Sequence, residues 1–188
     1  LGLDRTFVYF LDRNAGQLIA NDNPIPAPAG GDPRHLAFHP GGRWMYVLRE
    51  LDSTLGAYSW DSERGAGRLI NSLSTLPPWY LGVNTTAQVV VSPDGRFVYA
   101  SNRGHDSIAV FSIDQSTGGI TYVGEHWTFG ETPRNFNIDP SGTFMYVAHQ
   151  NTDNIVTFRV NKSTGHLEFT EQVITLGQPV CIVFHTPP

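Results

Sequence analysis

Short apolar runs rich in β-branched and aromatic side chains recur along the chain, separated by polar segments that carry Pro, Gly, Asn and Asp. Phe97-Val98-Tyr99-Ala100 and Ile155-Val156-Thr157-Phe158 are representative. Apolar and polar positions alternate with a period near two, and no window carries a helical period, so the pattern predicts an all-β chain with helix nearly absent.

The runs belong to a longer repeat. Residues 33–61 (PRHLAFHPGGRWMYVLRELDSTLGAYSWD), 86–114 (TAQVVVSPDGRFVYASNRGHDSIAVFSID) and 133–161 (PRNFNIDPSGTFMYVAHQNTDNIVTFRVN) share one template. Each reads as a first strand, a Pro-x-Gly turn, an aromatic-rich second strand, a polar corner, a third strand, and a Gly-containing turn into a fourth. The turn prolines Pro40, Pro93 and Pro140 are 53 and 47 residues apart, and the longer interval holds an extra segment around Leu76-Pro77-Pro78-Trp79-Tyr80, read as a surface loop. Ahead of the first full unit, Thr6 to Asp12 followed by Gly16-Gln17-Leu18 matches the last two strands of the template. After the third, Pro179 to Phe184 matches its first strand.

Four-stranded units at this period are the signature of β-propeller blades, which pack face to face around a central channel. The expected organisation is the end of one blade over 1–30, blades over 31–84, 85–131 and 132–178, and a closing strand over 179–188. That is about three and a half blades. A seven-bladed ring of such units needs roughly 350 residues, so further blades are expected upstream of Leu1, and an incomplete arc is open to self-association.

Composition narrows the partners. Of the 188 residues 40% are hydrophobic and 15% charged, the profile of a globular chain with a real core. The formal charge of −5 and the absence of any basic run interleaved with aromatics argue against nucleic acid. Cys181 is the single cysteine, which excludes an internal disulfide and fits a reducing compartment. No apolar stretch approaches the ~20 residues of a membrane span, and the start carries no leader pattern, so a soluble, cytoplasmic protein with no membrane partner is expected.

Particular residues carry a closer likeness. Pro33-Arg34-His35-Leu36-Ala37-Phe38-His39-Pro40 with Glu50-Leu51-Asp52-Ser53, Ser92-Pro93-Asp94-Gly95-Arg96-Phe97 with Ser101-Asn102-Arg103-Gly104-His105-Asp106, and Pro133-Arg134-Asn135-Phe136 with Ile138-Asp139-Pro140-Ser141-Gly142 resemble the seven-bladed lactonase family. That family contains bacterial-type 6-phosphogluconolactonases and the fungal 3-carboxy-cis,cis-muconate cyclase. The likeness runs from about Leu3 to Phe184. It implies a site at the channel mouth containing an arginine, a glutamate, a second arginine and a histidine from an earlier blade. The first three match Arg34, Glu50 and Arg103; the histidine falls before Leu1. Family members often carry Ala-Glu-Ile-His ahead of the second Pro-Gly turn, whereas this chain has Ala87-Gln88-Val89-Val90.

Antiparallel topology reaches the same edge independently. The start of a first strand and the end of a second lie on one rim of a blade, which places Arg34, Glu50, Arg103, Arg134 and Gln150 together and the Pro-Gly turns on the other rim. Such a rim suits a small anionic lactone or dicarboxylate. Arg34 and Arg103 would hold anionic oxygens and Glu50 would transfer protons, while Arg134, Gln150 and His35 are candidate substrate-binding residues. The chemistry calls for no cofactor. The positions matching Glu50 in the other units are Arg103 and Gln150, three different side chains on a repeated frame, whereas Asp52, Asp106 and Asp153 recur and read as structural corners.

Plainer readings stand beside these. Arg34 and Glu50 fit an ion pair that secures a blade. His35 and His39 share a strand face but lie too far apart to share a metal, so no metal site is expected. His105, His149 and the other histidines read as hydrogen-bonded corner or surface residues. The leading function is a lactonase acting on 6-phosphogluconolactone. The alternatives are a lactone-forming muconate cyclase type of enzyme and a propeller that binds without catalysis.

Overall fold

The computed structural model describes residues 2–185. Among them there is no helix, and the chain is a series of antiparallel sheets. It opens with β1 (Arg5–Thr6), β2 (Tyr9–Asp12), β3 (Gln17–Ala20) and β4 (Ile25–Pro26). β2 pairs with β3 and β1 with β4, so the four form one interrupted hairpin, the last two strands of a blade. Three four-stranded sheets follow. The first holds β5 (Pro33–Phe38), β6 (Trp44–Arg49), β7 (Thr54–Asp61) and β8 (Ala66–Ser74); the second holds β9 (Thr85–Val91), β10 (Phe97–Arg103), β11 (Ser107–Ile113) and β12 (Ile120–Trp127). The third holds β13 (Pro133–Ile138), β14 (Phe144–His149), β15 (Asn154–Val160) and β16 (Leu167–Thr175). Each is a simple meander in chain order, and β5, β9 and β13 pack side by side as the innermost strands. This is the β-propeller that the repeat predicts.

The second strands of the first two sheets are apolar on both sides because each of these sheets is covered on both faces. All six residues of β6 are buried. Trp44, Tyr46 and Leu48 face the second sheet in one cluster, while Met45 and Val47 face the opening hairpin in another. β10 repeats the division, with Val98 and Ala100 toward the first sheet and Phe97 and Tyr99 toward the third.

A repeated latch closes each seam. The Tyr46 hydroxyl donates to the Gly118 carbonyl at 3.1 Å and Tyr99 to Gly165 at 3.0 Å; burial pushes both phenols up from their ordinary value. Both glycines have φ +78°, and an added Cβ would stand 2.4 Å from the Trp44 ring at Gly118 and 2.5 Å from the Phe97 ring at Gly165. On the same rim as these latches, Gly42, Gly95 and Gly142 adopt the positive φ that the Pro-Gly turns require.

Three expectations are corrected. Pro179–Phe184 is not a strand: no ladder partner stands beside it among the described residues, and it is tied by side chains, Ile182 N–H to Asn135 Oδ1 at 2.8 Å and Asn137 Nδ2 to the Ile182 carbonyl at 3.1 Å. Residues 186–188 of the expected closing segment lie outside the described residues. The repeated corner of the first full blade is Ser53 rather than Asp52. Ser53, Asp106 and Asp153 share a left-handed φ of 51–54°, and each carbonyl receives an N–H from the end of its fourth strand, while Asp52, one residue earlier, accepts the Thr54 N–H at 3.2 Å and pairs with Arg49 at 2.8 Å. The side-chain swap at Asp52 and Ser53 conceals the register in the sequence. His149, finally, is neither corner nor surface. It is completely buried with no hydrogen-bond partner on either ring nitrogen among the described residues, and a Cβ on Gly130 would lie 2.5 Å from its ring.

Burial drives the His149 pKa down to about 4, opposed in smaller part by Asn154 and Asp106. The unfolded chain takes up this proton below pH ~6.5 and the folded chain does not until about 4. Stability is therefore fully present above the unfolded value and falls between the two, by a maximum of about 3 kcal/mol. His149→Phe is expected to lose less stability than the parent between pH 7 and pH 4.5 in urea denaturation. A second expectation concerns the latch: Gly165→Ala should cost about 2–4 kcal/mol from left-handed strain and overpacking. Gly16→Ala, with φ +64° and open space around the new methyl, should cost only the strain, as read from paired denaturation curves.

Candidate active site

The site is assembled where the first and second sheets meet at the rim. Arg34 is the inserted residue of a β-bulge: Pro33 faces Arg49 and His35 faces Leu48, so Arg34 has no partner of its own on β6. β9 carries a matching bulge, with Val89 opposite Ala100 and Thr86 opposite Asn102. Bulges break alternation and re-aim side chains. Here the first lets Arg34 and its neighbour His35 both turn toward β9, and the second offers them the Ala87 carbonyl and the Gln88 side chain.

Glu50, just past the end of β6, lies between two guanidinium groups. Arg34 Nε is 3.2 Å from Glu50 Oε2, and Arg103 Nη2, at the end of β10, donates to Glu50 Oε1. The three side chains are only 14–15% exposed. The backbone around them belongs to the same knot: Arg103 Nη2 also donates to the Thr86 carbonyl at 2.9 Å, Arg34 Nη1 to the Ala87 carbonyl, and Thr86 N–H to the Glu50 carbonyl at 3.1 Å. Consecutive β9 carbonyls thus seat the two arginines.

The cluster is not internally satisfied. Arg34 Nε lies off the hydrogen-bonding direction of Glu50 Oε2, and that oxygen and Arg103 Nε are buried with no hydrogen-bond partner among the described residues. Buried polar atoms without partners cost about 1–3 kcal/mol each, and such costs concentrate where a ligand is to be met. Burial pushes the Arg34 guanidinium below its ordinary pKa; Glu50 opposes this and the positive charges of Arg103 and Arg134 add to it.

The His35 ring lies with Nδ1 against Gln88 Oε1 and with Arg34 Nη1 over its face, 3.2 Å from Nε2 and 3.4 Å from Nδ1. Its pKa is lowered first by burial; Gln88 and Glu50 oppose the shift, and Arg34 and Arg134 add to it. A cleft of about 110 Å³ runs beside this group, lined by Pro33, Arg34, His35 and Leu36 with Arg5 and Thr6 opposite. Arg134, again the inserted residue of a bulge, binds the Gln150 amide oxygen at 3.1 Å. His35, Arg34, Glu50 and Arg103 therefore form one chain of contacts, while Arg134 and Gln150 form a separate pair whose charge reaches the others.

Sequence reasoning passed over Gln88 and the carbonyls of Thr86 and Ala87. The departure at Ala87-Gln88 was the available signal, but bulge geometry leaves no mark in the residue pattern. A cleft of about 270 Å³ on the opposite rim, lined by Pro93, Phe97, Tyr99 and Lys162, is roomier. Its polar groups are already engaged, Lys162 with the Ser141 carbonyl at 2.7 Å and Tyr99 with Gly165, so it offers no comparable chemistry.

Residues 1–184 match the family of lactonases described as seven-bladed β-propellers. A 6-phosphogluconolactonase from Bacillus subtilis is 38% identical over 139 residues, 74% of this chain and 39% of the relative; one from Formosa agariphila is 39% identical over 69% of this chain and 36% of its own length. Among solved structures, the periplasmic gluconolactonase of Pseudomonas aeruginosa superposes with a TM-score of 0.92 at 31% identity, over 100% of this chain and 53% of that one. A protein from Lactobacillus plantarum gives 0.89 at 34% identity, over 95% and 51%. The chain thus spans about two fifths of these curated relatives and about half of the solved structures. Matched over nearly its whole length by that family and superposed on solved members of the fold, this chain belongs to the lactonase family of seven-bladed β-propellers.

Proposed function

We propose that the rim built by Arg34, Glu50 and Arg103 opens a small anionic sugar lactone by addition of water, with 6-phosphogluconolactone as the substrate. The observation that carries this reading is a carboxylate clamped between two arginines, with Glu50 Oε2 and Arg103 Nε left without hydrogen-bond partners, at the positions where the repeat changes residue type. The 6-phosphogluconolactonases among the relatives and the gluconolactonase among the solved structures favour a sugar lactone over a muconate.

The chemistry follows from the groups available. Free N–H groups of Arg34 and Arg103 hold anionic oxygens of the substrate and offset the negative charge that grows on the lactone carbonyl oxygen as water adds. Glu50 accepts the proton of the attacking water. When the ring C–O bond breaks, that proton passes to the departing ring oxygen, so one water is consumed and an open hydroxy acid is released. Arg134 and Gln150 extend the anion-binding rim. No helix among the described residues is long and apolar enough to cross a membrane. A cytoplasmic location belongs to the same proposal, with cell fractionation as its test.

Turnover is measured on the protein at its native length, with 6-phosphogluconolactone and 3-carboxy-cis,cis-muconate compared. Glu50→Gln is expected to lower kcat by about 10²–10⁴-fold while the far-ultraviolet spectrum stays that of a folded β-protein. Arg103→Ala is expected to raise KM for the phosphorylated lactone at least ~10-fold through loss of a charge-assisted contact. A folded protein that turns over neither compound would instead be a binding propeller.

A further inference from the structure

The connection that crosses the rim from β8 to β9 runs from Thr75 to Asn84, whereas those entering the first and third sheets take only residues 27–32 and 128–132. The longer crossing lies at the seam where Glu50 and Arg103 meet. Both of its stems end on one side chain. Asn102 Nδ2 donates to the Thr75 carbonyl at 2.9 Å and to Ser107 Oγ at 3.1 Å. Asn102 Oδ1 accepts from Asn84 Nδ2 at 3.1 Å and faces the Thr75 hydroxyl at 2.7 Å; that hydroxyl shares its one proton with the Ser53 carbonyl at 3.0 Å. Backbone groups fix the orientation of the amide. The Thr75 carbonyl only accepts, and Asn84 turns its nitrogen to Asn102 because its own oxygen takes the His105 N–H at 3.1 Å. Asn102, Thr75 and Ser107 are completely buried, where a lost partner is costly.

Asn102 immediately precedes Arg103, and the residue that follows is clamped by the same loop. Gly104 has φ +117°, and an added Cβ would stand 2.3 Å from the Val83 carbonyl. The positions equivalent to Asn102 in the other sheets are Arg49, ahead of Glu50, and His149, ahead of Gln150. Arg49 is anchored by Asp52 at 2.8 Å and Ser72 Oγ at 3.0 Å, while the His149 ring has no hydrogen-bond partner among the described residues. The two rim residues that meet thus stand on anchored neighbours, and Gln150, which does not join them, stands on an unbonded one.

We propose that Asn102 is a positioning residue for Arg103: by binding both stems of the Leu76–Val83 insertion it fixes the end of β10, and with it the guanidinium against Glu50 and the Thr86 carbonyl. This rests on the reading of the rim as a lactone site. Arg103 reaches across the seam with a long side chain, so a shift of about 1 Å at its root misplaces every contact at its tip, and such a displacement can cost about a hundredfold in rate. The place demands one donor toward the Thr75 carbonyl and one acceptor toward Asn84, which neither a carboxylate nor an apolar side chain supplies.

The test is a double-mutant cycle on the protein at its native length, with Asn102→Ala, Arg103→Ala and the pair compared for KM and kcat on 6-phosphogluconolactone. Asn102→Ala is expected to raise KM about tenfold, toward the value of Arg103→Ala. In the Arg103→Ala background it should add less than about twofold. An asparagine that served stability alone would lower the folded fraction, which reduces apparent kcat, leaves KM in place and acts equally in both backgrounds. Asn84→Ala removes one bond to the same amide from a half-buried position and should raise KM about threefold, so the proposal is decided even where Asn102→Ala does not fold. Nitrogen-15 spectra of the arginine side chains give a reading without turnover. The Arg103 Nε–H signal, assigned by its absence from Arg103→Ala, should be sharp in the parent and broadened in either asparagine variant. Unchanged KM in the folded asparagine variants, equal effects with and without Arg103, or an Arg103 signal that is the same in parent and variants overturns the proposal. If the folded parent turns over no lactone, the reading of the rim fails on its own, and the Arg103 signal still decides whether Asn102 positions this side chain.

Discussion

Everything in this molecule depends on the burial of sheets against one another. A propeller blade has two apolar faces and no helix to cover either, so each of the two seams between full sheets here is closed by the neighbouring sheet. The burial of every residue of β6 and the division of β10 between two clusters are the direct consequence. Apolar contact alone is non-directional, and the tyrosine latches supply the direction. The hydroxyls of Tyr46 and Tyr99 reach the carbonyls of Gly118 and Gly165 over glycines that leave room for an aromatic ring beneath. The seam is therefore held in one register, and the innermost strands arrive at the rim in a fixed relation.

That relation makes the site possible, because the site belongs to no single sheet. Glu50 and Arg34 come from the first sheet, while Arg103 and the Thr86 and Ala87 carbonyls come from the second. Three different side chains occupy the repeated position at the end of the second strand, and of these Glu50 and Arg103 meet. Gln150, the third, turns instead to Arg134 within its own sheet. The candidate site also carries a cost in two buried polar atoms without partners among the described residues and in an Arg34 guanidinium lowered by burial and by the charges of Arg103 and Arg134.

Much of this was legible in the residues. The repeat at Pro40, Pro93 and Pro140 gave the four-stranded units, and the apolar runs gave their strands, because a sheet covered on both faces must be apolar over whole strands and must turn at Pro and Gly. Antiparallel pairing gave the shared rim of Arg34, Glu50 and Arg103. Less legible were features in which two residue types exchange duties without changing composition: the corner taken by Ser53 beside Asp52, and the interruption of the opening hairpin between β1 and β2.

What the sequence by itself determined is the periodic part: strand, turn and blade, and which polar residues break the period. These follow from local φ/ψ preferences and from burial, both of which act residue by residue. Only the tertiary structure decided that Arg34 and His35 turn the same way, that Gln88 seats His35, that His149 is sealed in the interior, and that Pro179–Phe184 is held by Asn135 and Asn137 rather than by a ladder. The reason is common to all four. Each depends on what stands across a gap between segments tens of residues apart, at a bulge, a seam or a strand without a neighbour, and neither residue type nor spacing records what lies on the far side.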